Sequence, residues 1–350
     1  MRFLRKFALS VVLTLLLAAC VSDGASTTST TEPSETTTSD TATTTSTVAT
    51  TTTESTTTTA PEADLGPIYA ITFSEEATGV VRLDGNTGEI IHEVTGAIGE
   101  GSDSLDYIRE RDSLIYSRVV TAAMSEVVEV PADGGEPTVL TTGSAADATD
   151  DGTHLAVARL ELVDGGPDQM VLEVRDFEGN VINTWSDDTT PEEEVFIQNL
   201  AWSPDGSQLA FEIRFEDGTE VFVLDPDARS GSIEETASVV EPDTEDVMLS
   251  APFWLSDDQL GVVAGCCDPT DFDSWEAVVV DPATGERQSS LFTVDYPISE
   301  VDVHANGDEI AFISSHDAFG SGTTGPDELK VWTPDHGILD IREEQSSVGW

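Results

Sequence analysis

The stretch Leu200–Phe211, which reads LAWSPDGSQLAF, decides the fold. Its first residues are apolar and predict the end of one β-strand. The Ser-Pro-Asp-Gly segment at 203–206 consists of strong turn formers, and the apolar residues after it predict the start of a second, antiparallel strand. Asp205 is therefore interpreted as a turn residue rather than a catalytic one.

The same pattern returns along the chain in weaker form. Similar turns followed by apolar runs occur at Asp151–Val157 and Asn306–Phe312, with more degenerate copies at Asp112–Tyr116 and Asp257–Val262. The first apolar residue after each turn defines an anchor, and the anchors are Leu114, Leu155, Leu209, Leu260 and Ile310, with Ile71 as a sixth by pattern. Successive anchors lie 41 to 54 residues apart. This is the size of one four-stranded propeller blade.

The Leu200–Phe211 stretch resembles the repeat of TolB-like, WD-repeat-like β-propellers. With six anchors, the resemblance implies an all-β fold at residues 65–350, a six-bladed β-propeller of four-stranded blades. A seventh blade would need a further repeat, which the sequence does not show. The rest of this region agrees with the prediction, because short β-rich runs alternate with Gly, Asp, Asn and Pro turns and no segment has the pattern of an amphipathic helix.

The two ends of this region complement each other. Ser346–Trp350 resembles the inner strand that precedes a turn, whereas Ile68–Phe73, Gly79–Leu83 and Glu89–Val94 supply three strands that lack such a partner. A propeller that closes its ring in this way leaves only short strand edges exposed. We therefore predict that the C-terminal strand pairs with Ile68–Phe73.

The first nineteen residues predict export. Met1–Lys6 is basic, and Phe7–Leu17 is an apolar run too short for the roughly 20 residues of a transmembrane helix. The tetrad that ends in Cys20 (LAAC) resembles the lipobox of bacterial lipoproteins, which implies cleavage before Cys20 and attachment of lipid to its thiol. An ordinary signal peptide is the alternative. The resemblance predicts an extracytoplasmic protein anchored by lipid to the cell membrane.

Residues 20–64 predict a stalk between the anchor and the propeller. Between Thr27 and Thr59, 20 of 33 residues are threonine, and the others are mostly Ser, Glu, Ala and Pro. Such a composition offers almost no apolar surface to offset the entropy of folding, so we expect a disordered tether. Its threonine density also permits O-glycosylation.

The chain is strongly acidic. Fourteen basic and 68 acidic residues give a net charge of −54, and the part after residue 19, which lacks three of the basic residues, carries −57. Such a charge repels nucleic acid and excludes it as a partner class. Two interpretations remain open, a solvated acidic surface and a surface that attracts calcium or basic proteins.

Three long loops, at 162–169, 265–275 and 315–328, are expected to join second to third strands on one face, where we predict binding. The second contains Cys266 and Cys267, for which a vicinal disulfide, intermolecular pairing and free thiols all remain open. Oxygen ligands for a calcium ion are available there from Asp268, Asp271, Asp273 and Glu276, although no EF-hand glycine accompanies them. In the third loop, His316 and Asp317 form the pair singled out as a binding-face candidate.

The sequence favours a binding role over catalysis, since it contains no G-x-S-x-G, P-loop, H-E-x-x-H or C-x-x-C motif. The main hypothesis is a membrane-anchored binding or scaffold propeller for a protein, peptide or glycan. A second is a hydrolase of lactones, esters or glycans that uses carboxylates at the channel mouth, with or without calcium. A third is an envelope component that pairs with a basic membrane protein. Three or more carboxylates converging in the channel would favour the second hypothesis.

Overall fold

The structure is a computed structural model that describes residues 65–73, 78–96, 98, 104–121, 124–163, 166–189, 195–215, 218–242, 244, 247–266, 274–315, 327–343 and 345–350. These residues form six four-stranded antiparallel sheets. Apart from the strands, the described part contains only a 3-10 turn at Arg109–Arg111 and the one-turn helix α1 at Ile233–Thr236. None of its helices has the length and apolar character needed to span a membrane.

The sheets are numbered as blades in chain order, and each is given from its inner to its outer strand. Blade one consists of β24 (Gln345–Gly349), β1 (Pro67–Phe73), β2 (Thr78–Asp84) and β3 (Ile90–Glu93). Blade two consists of β4 (Leu105–Ile108), β5 (Ser113–Thr121), β6 (Met124–Pro131) and β7 (Thr138–Thr142). Blade three consists of β8 (Ala145–Ala148), β9 (Leu155–Glu161), β10 (Asp168–Arg175) and β11 (Val181–Thr189).

The second half of the ring follows the same plan. Blade four consists of β12 (Phe196–Trp202), β13 (Leu209–Phe215), β14 (Gly218–Leu224) and β15 (Ser238–Val240). Blade five consists of β16 (Val247–Ser256), β17 (Gln259–Cys266), β18 (Trp275–Val280) and β19 (Arg287–Val294). Blade six consists of β20 (Ile298–Val303), β21 (Ile310–Ser314), β22 (Glu328–Thr333) and β23 (Gly337–Glu343).

The inner strands contact one another in a closed ring, from β24 through β4, β8, β12, β16 and β20 and back to β24. The second strand of each blade is covered on both faces by the neighbouring blades, which explains why segments such as Leu209–Ile213 are fully buried. One core cluster, for example, joins Ala210 and Val221 of blade four to Leu260 and Val262 of blade five. The six-bladed fold predicted from the repeats is thus confirmed.

The predicted closure is also confirmed. β24 pairs antiparallel with β1, with Tyr69 opposite Gly349 and Ile71 opposite Ser347. The register corrects one anchor, however. Leu209 lies opposite Trp202 in blade four, and the position equivalent to Leu209 in blade one, opposite Trp350, belongs to Ile68 rather than Ile71. The error arose because blade one has no Ser-Pro-Asp-Gly turn to mark where its second strand begins.

Inner-strand tryptophans connect successive blades. The indole Nε1 of Trp202 donates to the backbone oxygen of Asp147 at 3.2 Å, and Nε1 of Trp254 donates to the oxygen of Ala201 at 3.0 Å. Nε1 of Trp350 donates to the oxygen of Leu65 at 3.1 Å. Each indole therefore fills apolar space at a blade junction while its polar edge is satisfied, as buried tryptophans require.

Candidate functional site

Three aspartates occupy the same position on three inner strands. Asp106 in β4 lies opposite Ile115, Asp147 in β8 opposite Ala156, and Asp302 in β20 opposite Ala311. Each aspartate is eight residues before the anchor of its repeat, and Ala201 fills the same position in the Leu200–Phe211 stretch. Inner strands line the channel of a propeller, so this position brings the three carboxylates to one level of it.

Each aspartate is held by the backbone of the next blade. Oδ2 of Asp106 accepts a hydrogen bond from the amide of Ala148 at 3.1 Å, and Oδ2 of Asp147 accepts one from the amide of Trp202 at 2.7 Å. Oδ2 of Asp302 accepts a hydrogen bond from the amide of Trp350. This bond joins blade six to blade one, where the ring closes. The side chains are therefore positioned by the rigid inner strands.

Burial and neighbouring charges raise the pKa values of the three carboxyl groups. Burial raises the pKa of Asp106 to about 6, opposed by the hydrogen bond from Ala148. Burial, followed by the charge of Asp106, raises the pKa of Asp147 well above its usual value, and the same two causes act on Asp302. A hydrogen bond also links the side chains of Asp106 and Asp147. A neighbouring negative charge favours the protonated form of a carboxyl group.

The three aspartates line a cavity of about 150 Å³ that opens to solvent at one end of the channel. Its other polar walls come from Asn199, Glu300, His304 and Asp150. Because a buried water occupies about 30 Å³ of liquid volume, the cavity can hold several waters or the head group of one side chain. We call this cavity and its three aspartates the acidic channel site.

The acidic channel site lies at the end of the propeller where first strands turn into second strands, since Asp106, Asp147 and Asp302 are close to the C-terminal ends of their inner strands. The loops between second and third strands lie at the opposite end of antiparallel blades. The structure confirms that the three long loops follow β9, β17 and β21. The polar cavity is therefore on the face opposite the one on which we predicted binding.

Most site residues predicted from the sequence lie outside the described residues. This applies to Cys20, Cys267, Asp268, Asp271, Asp273, His316 and Asp317. Cys266 is the last residue of β17. Glu276 is in β18, and its Oε1 accepts a hydrogen bond from Nη2 of Arg287 at 2.6 Å. The lipid anchor, the cysteine pairing and the calcium site thus stay predictions.

Within the described part of the chain, no three His, Cys, Asp or Glu side chains are placed so that they could hold a metal ion. The sequence analysis missed the acidic channel site because 68 acidic residues make no single aspartate conspicuous. One signal was present. Aligning the repeats on their anchors places aspartate in the same column of three blades.

Six four-stranded blades closed by the two ends of the described region define a six-bladed β-propeller. TolB from Acinetobacter baumannii has a similar structure, with a TM-score of 0.58 and 14% identity over 82% of this chain and 67% of that chain. The putative TolB from Agrobacterium tumefaciens is also similar, with a TM-score of 0.54 and 11% identity over 80% of this chain and 91% of that chain.

A chain of the nidogen/laminin complex is also similar, with a TM-score of 0.53 and 10% identity over 81% of this chain and 97% of that one. At such low identity these likenesses concern the fold alone. No protein-family model matches the chain, and no curated protein matches it.

Replacing Asp106 with asparagine is expected to stabilise the propeller above about pH 6. A carboxyl with a raised pKa binds its proton more tightly in the folded chain, so its contribution to stability is lost as pH rises from about 4 through about 6. A shift from 3.8 to about 6 corresponds to at most about 3 kcal/mol. Thermal unfolding at about pH 5 and about pH 8 measures the effect.

Two further variants serve as controls for this prediction. Asp106→Ala leaves the amide of Ala148 without its acceptor, which costs about 1–3 kcal/mol, so it should be less stable than Asp106→Asn at both pH values. Asp295→Asn removes one exposed charge outside the channel and serves as the control for net charge. An equal gain in Asp106→Asn and Asp295→Asn would show that net charge, and not the channel, is responsible.

Proposed function

We propose that this protein is an exported lipoprotein, anchored through Cys20, whose propeller binds a cationic group of a peptide or protein in the acidic channel site. The convergence of Asp106, Asp147 and Asp302 in one cavity carries the proposal. The N-terminal signal and lipobox pattern support export, and the repeated blades supply a rigid scaffold for the site.

The chemistry of the cavity favours a cation over a neutral glycan. Burial disfavours the ionised form of all three carboxyl groups, and the charge of Asp106 further raises the pKa values of Asp147 and Asp302, so a bound ammonium or guanidinium group would stabilise the ionised forms. Such charge-assisted hydrogen bonds are shorter and stronger than neutral ones. Because the aspartates are already held by backbone amides of the next blade, little side-chain entropy is lost when the ligand binds.

The proposal predicts that a short lysine- and arginine-containing peptide binds the propeller, whereas a matched peptide with glutamate at those positions does not. The double variant Asp106→Asn/Asp302→Asn should lower the affinity by at least about tenfold, as expected for loss of about 1.4 kcal/mol or more. Isothermal titration calorimetry measures the affinities of both peptides and of the double variant. The salt concentration is moderate because salt screens weak attraction to the acidic surface.

The matched control removes two exposed charges, as in Asp225→Asn/Asp227→Asn. Unchanged affinity in this control, together with the loss in the channel variant, supports the site. Equal losses in both variants would reduce the binding to general attraction by an acidic protein and would overturn the proposal.

A second candidate function, hydrolysis, is favoured by the hydrogen-bonded pair Asp106 and Asp147. One carboxyl that keeps its proton near neutral pH beside one that is ionised has the features of a general acid and a general base. Assays on chromogenic ester, lactone and glycoside substrates, with and without added calcium, test it. Turnover that disappears in Asp147→Asn would support hydrolysis, and turnover that survives in it would exclude this pair.

A further inference from the structure

The level of the channel that holds the three aspartates is acidic in only part of the ring. Strand register gives one inner-strand residue per blade at this level. In order around the ring from blade six, these residues are Asp302, Gly349, Asp106, Asp147, Ala201 and Phe253. Blades six, two and three thus supply carboxylates, and blades one, four and five supply no charge here. A group near the axis is therefore met by carboxylates from three directions.

None of the three carboxylates offers two unengaged oxygens. In all three, Oδ2 accepts a hydrogen bond from a backbone amide of the next blade. Oδ1 of Asp302 accepts another from the amide of Val303 at 2.7 Å, and the side chains of Asp106 and Asp147 are hydrogen-bonded to each other. A carboxylate has about four lone-pair sites, so each group can still accept a single hydrogen bond from a ligand.

This arrangement suits an ammonium group better than a guanidinium group. An ammonium carries three N–H donors on one compact atom, and they can turn to meet acceptors from three directions. A guanidinium is planar and binds best through two parallel donors to both oxygens of one carboxylate. Because no carboxylate of the acidic channel site offers that pair of oxygens, arginine loses its main advantage over lysine there.

The walls next to the aspartates also suit a lysine side chain. Oγ of Ser104, two residues before Asp106, is buried in the cavity wall and has no hydrogen-bond partner among the described residues. An unpaired buried hydroxyl costs free energy, so a donor that enters the cavity finds an acceptor that lacks a partner. Leu200, Trp202 and Val348 line the same cavity, and such apolar walls accommodate the methylene groups of a lysine stem.

The hydrogen bond between Asp106 and Asp147 requires one proton, because two ionised carboxylates have no donor to share. An ammonium group that donates to both carboxylates takes over the role of that proton. Binding then releases the proton to solvent. One cation replaces another, so the net charge of the occupied site stays the same.

Few other titratable groups face this pair. Asp302 and Glu300 in β20, Asp150 after β8 and His304 after β20 line the cavity. In the described part of the chain, β12, β16 and β24 contribute no titratable side chain to its wall. Glu300 is engaged, since its Oε1 accepts from Oγ of Ser347 at 2.6 Å. A variant of the aspartate pair therefore distinguishes its proton from a proton of these neighbours.

We propose that the acidic channel site selects the primary ammonium group of a lysine side chain over the guanidinium group of arginine, and that this ammonium is exchanged for the proton shared by Asp106 and Asp147. The inference rests on the proposed function, because it requires that the site binds a cation. It adds the identity of the group that binds and a dependence on pH. While the pair holds its proton, the affinity should rise by up to about tenfold per pH unit.

Isothermal titration calorimetry of the full-length chain with matched peptides tests the proposal. The peptides have blocked ends and one central lysine, arginine or acetyl-lysine between glycines. The lysine peptide should bind at least about tenfold more tightly than the arginine peptide, and the acetyl-lysine peptide should not bind. A glycine peptide with a free amino terminus should bind at least about tenfold more weakly than the lysine peptide, which distinguishes a side-chain ammonium from a terminal one.

The same titrations near neutral pH, in buffers of different ionisation enthalpy, count the protons released. We expect about one proton per lysine peptide. Asp147→Asn should abolish this release and lower the affinity by at least about tenfold, and Asp106→Asn should do the same. The exposed control Asp225→Asn should change neither quantity. Thermal unfolding that is not lowered in the two channel variants shows that the site, and not the fold, was lost.

Several outcomes would overturn this inference. These are equal affinity for lysine and arginine, equal affinity for the peptide with the free amino terminus, binding without proton release, or release that persists in Asp147→Asn. If both basic peptides bind alike and both are lost in Asp106→Asn/Asp302→Asn, the inference fails and the proposed function stands. If neither basic peptide binds, both fail.

Discussion

Replacing Trp350 with alanine is expected to lower the free energy of unfolding by about 3–5 kcal/mol, the usual cost for a buried tryptophan. Only 5% of Trp350 is exposed, and it packs with Leu65, Ile68 and Val348 in the core of the closing blade. Its indole also lies against the ring of His304, with centroids 4.8 Å apart. Because its side chain packs at the junction between blades six and one, its loss would leave a cavity there. Denaturant unfolding of the described propeller measures the effect.

Two further variants test how much of this free energy of unfolding comes from packing and how much from the hydrogen bond. Trp350→Phe keeps most of the apolar volume but loses the hydrogen bond from Nε1 to the oxygen of Leu65, so it should cost less than alanine. Leu162→Ala, at an exposed position, should stay within about 0.5 kcal/mol of the unmodified chain. A Trp350→Ala variant as stable as Leu162→Ala would mean that the ring is held without this contact.

The buried carboxylate of Glu212 is expected to be nearly as important, and Glu212→Ala should cost about 3–5 kcal/mol. Its Oε1 accepts from Nε2 of Gln198 at 2.7 Å. Its Oε2 accepts from Nδ2 of Asn199 and from the amide of Ala251, both at 2.9 Å. Burial is the main cause that raises the pKa of Glu212, with these hydrogen bonds acting against it. Alanine would leave three donors without their acceptor.

These contacts hold two irregular strands in place. Asn199 and Ala251 have φ angles of 48° and 42°, a left-handed conformation that is unfavourable for residues with a side chain. Both lie at register shifts, in β12 and β16. Glu212→Gln should have an intermediate effect, because its amide can accept but also brings a competing donor. Glu126→Ala, which breaks a partly buried surface pair with Arg118, should cost about 1 kcal/mol or less, and thermal unfolding of the three variants distinguishes them.

The acidic channel site is built from inner-strand carboxylates that backbone amides of the next blade hold in place. Most acidic residues of this chain are not distinguished by the sequence, but these three aspartates have a defined position in the channel.

Local patterns in the sequence determined the fold. The turn at 203–206 with its apolar flanks predicted the strand pair of blade four, and its four weaker copies predicted four more of the six blades. Ring closure was also predictable, because the C-terminal segment has the pattern of an inner strand and Ile68–Phe73 lacked one. These features depend on turn chemistry and on alternating apolar residues, which act over a few neighbouring positions.

Tertiary structure alone decided where the polar site lies. Asp106 and Asp302 are almost 200 positions apart, and they meet only because six blades of nearly equal angle bring β4 and β20 to the same channel. Their raised pKa values have the same origin, since the burial of both groups and the effect of the Asp106 charge on Asp302 exist only after the ring closes. The sequence by itself determined how each blade forms. Which residues of different blades meet was decided by closure of the ring, because side-chain proximity across hundreds of residues depends on the geometry of the whole fold.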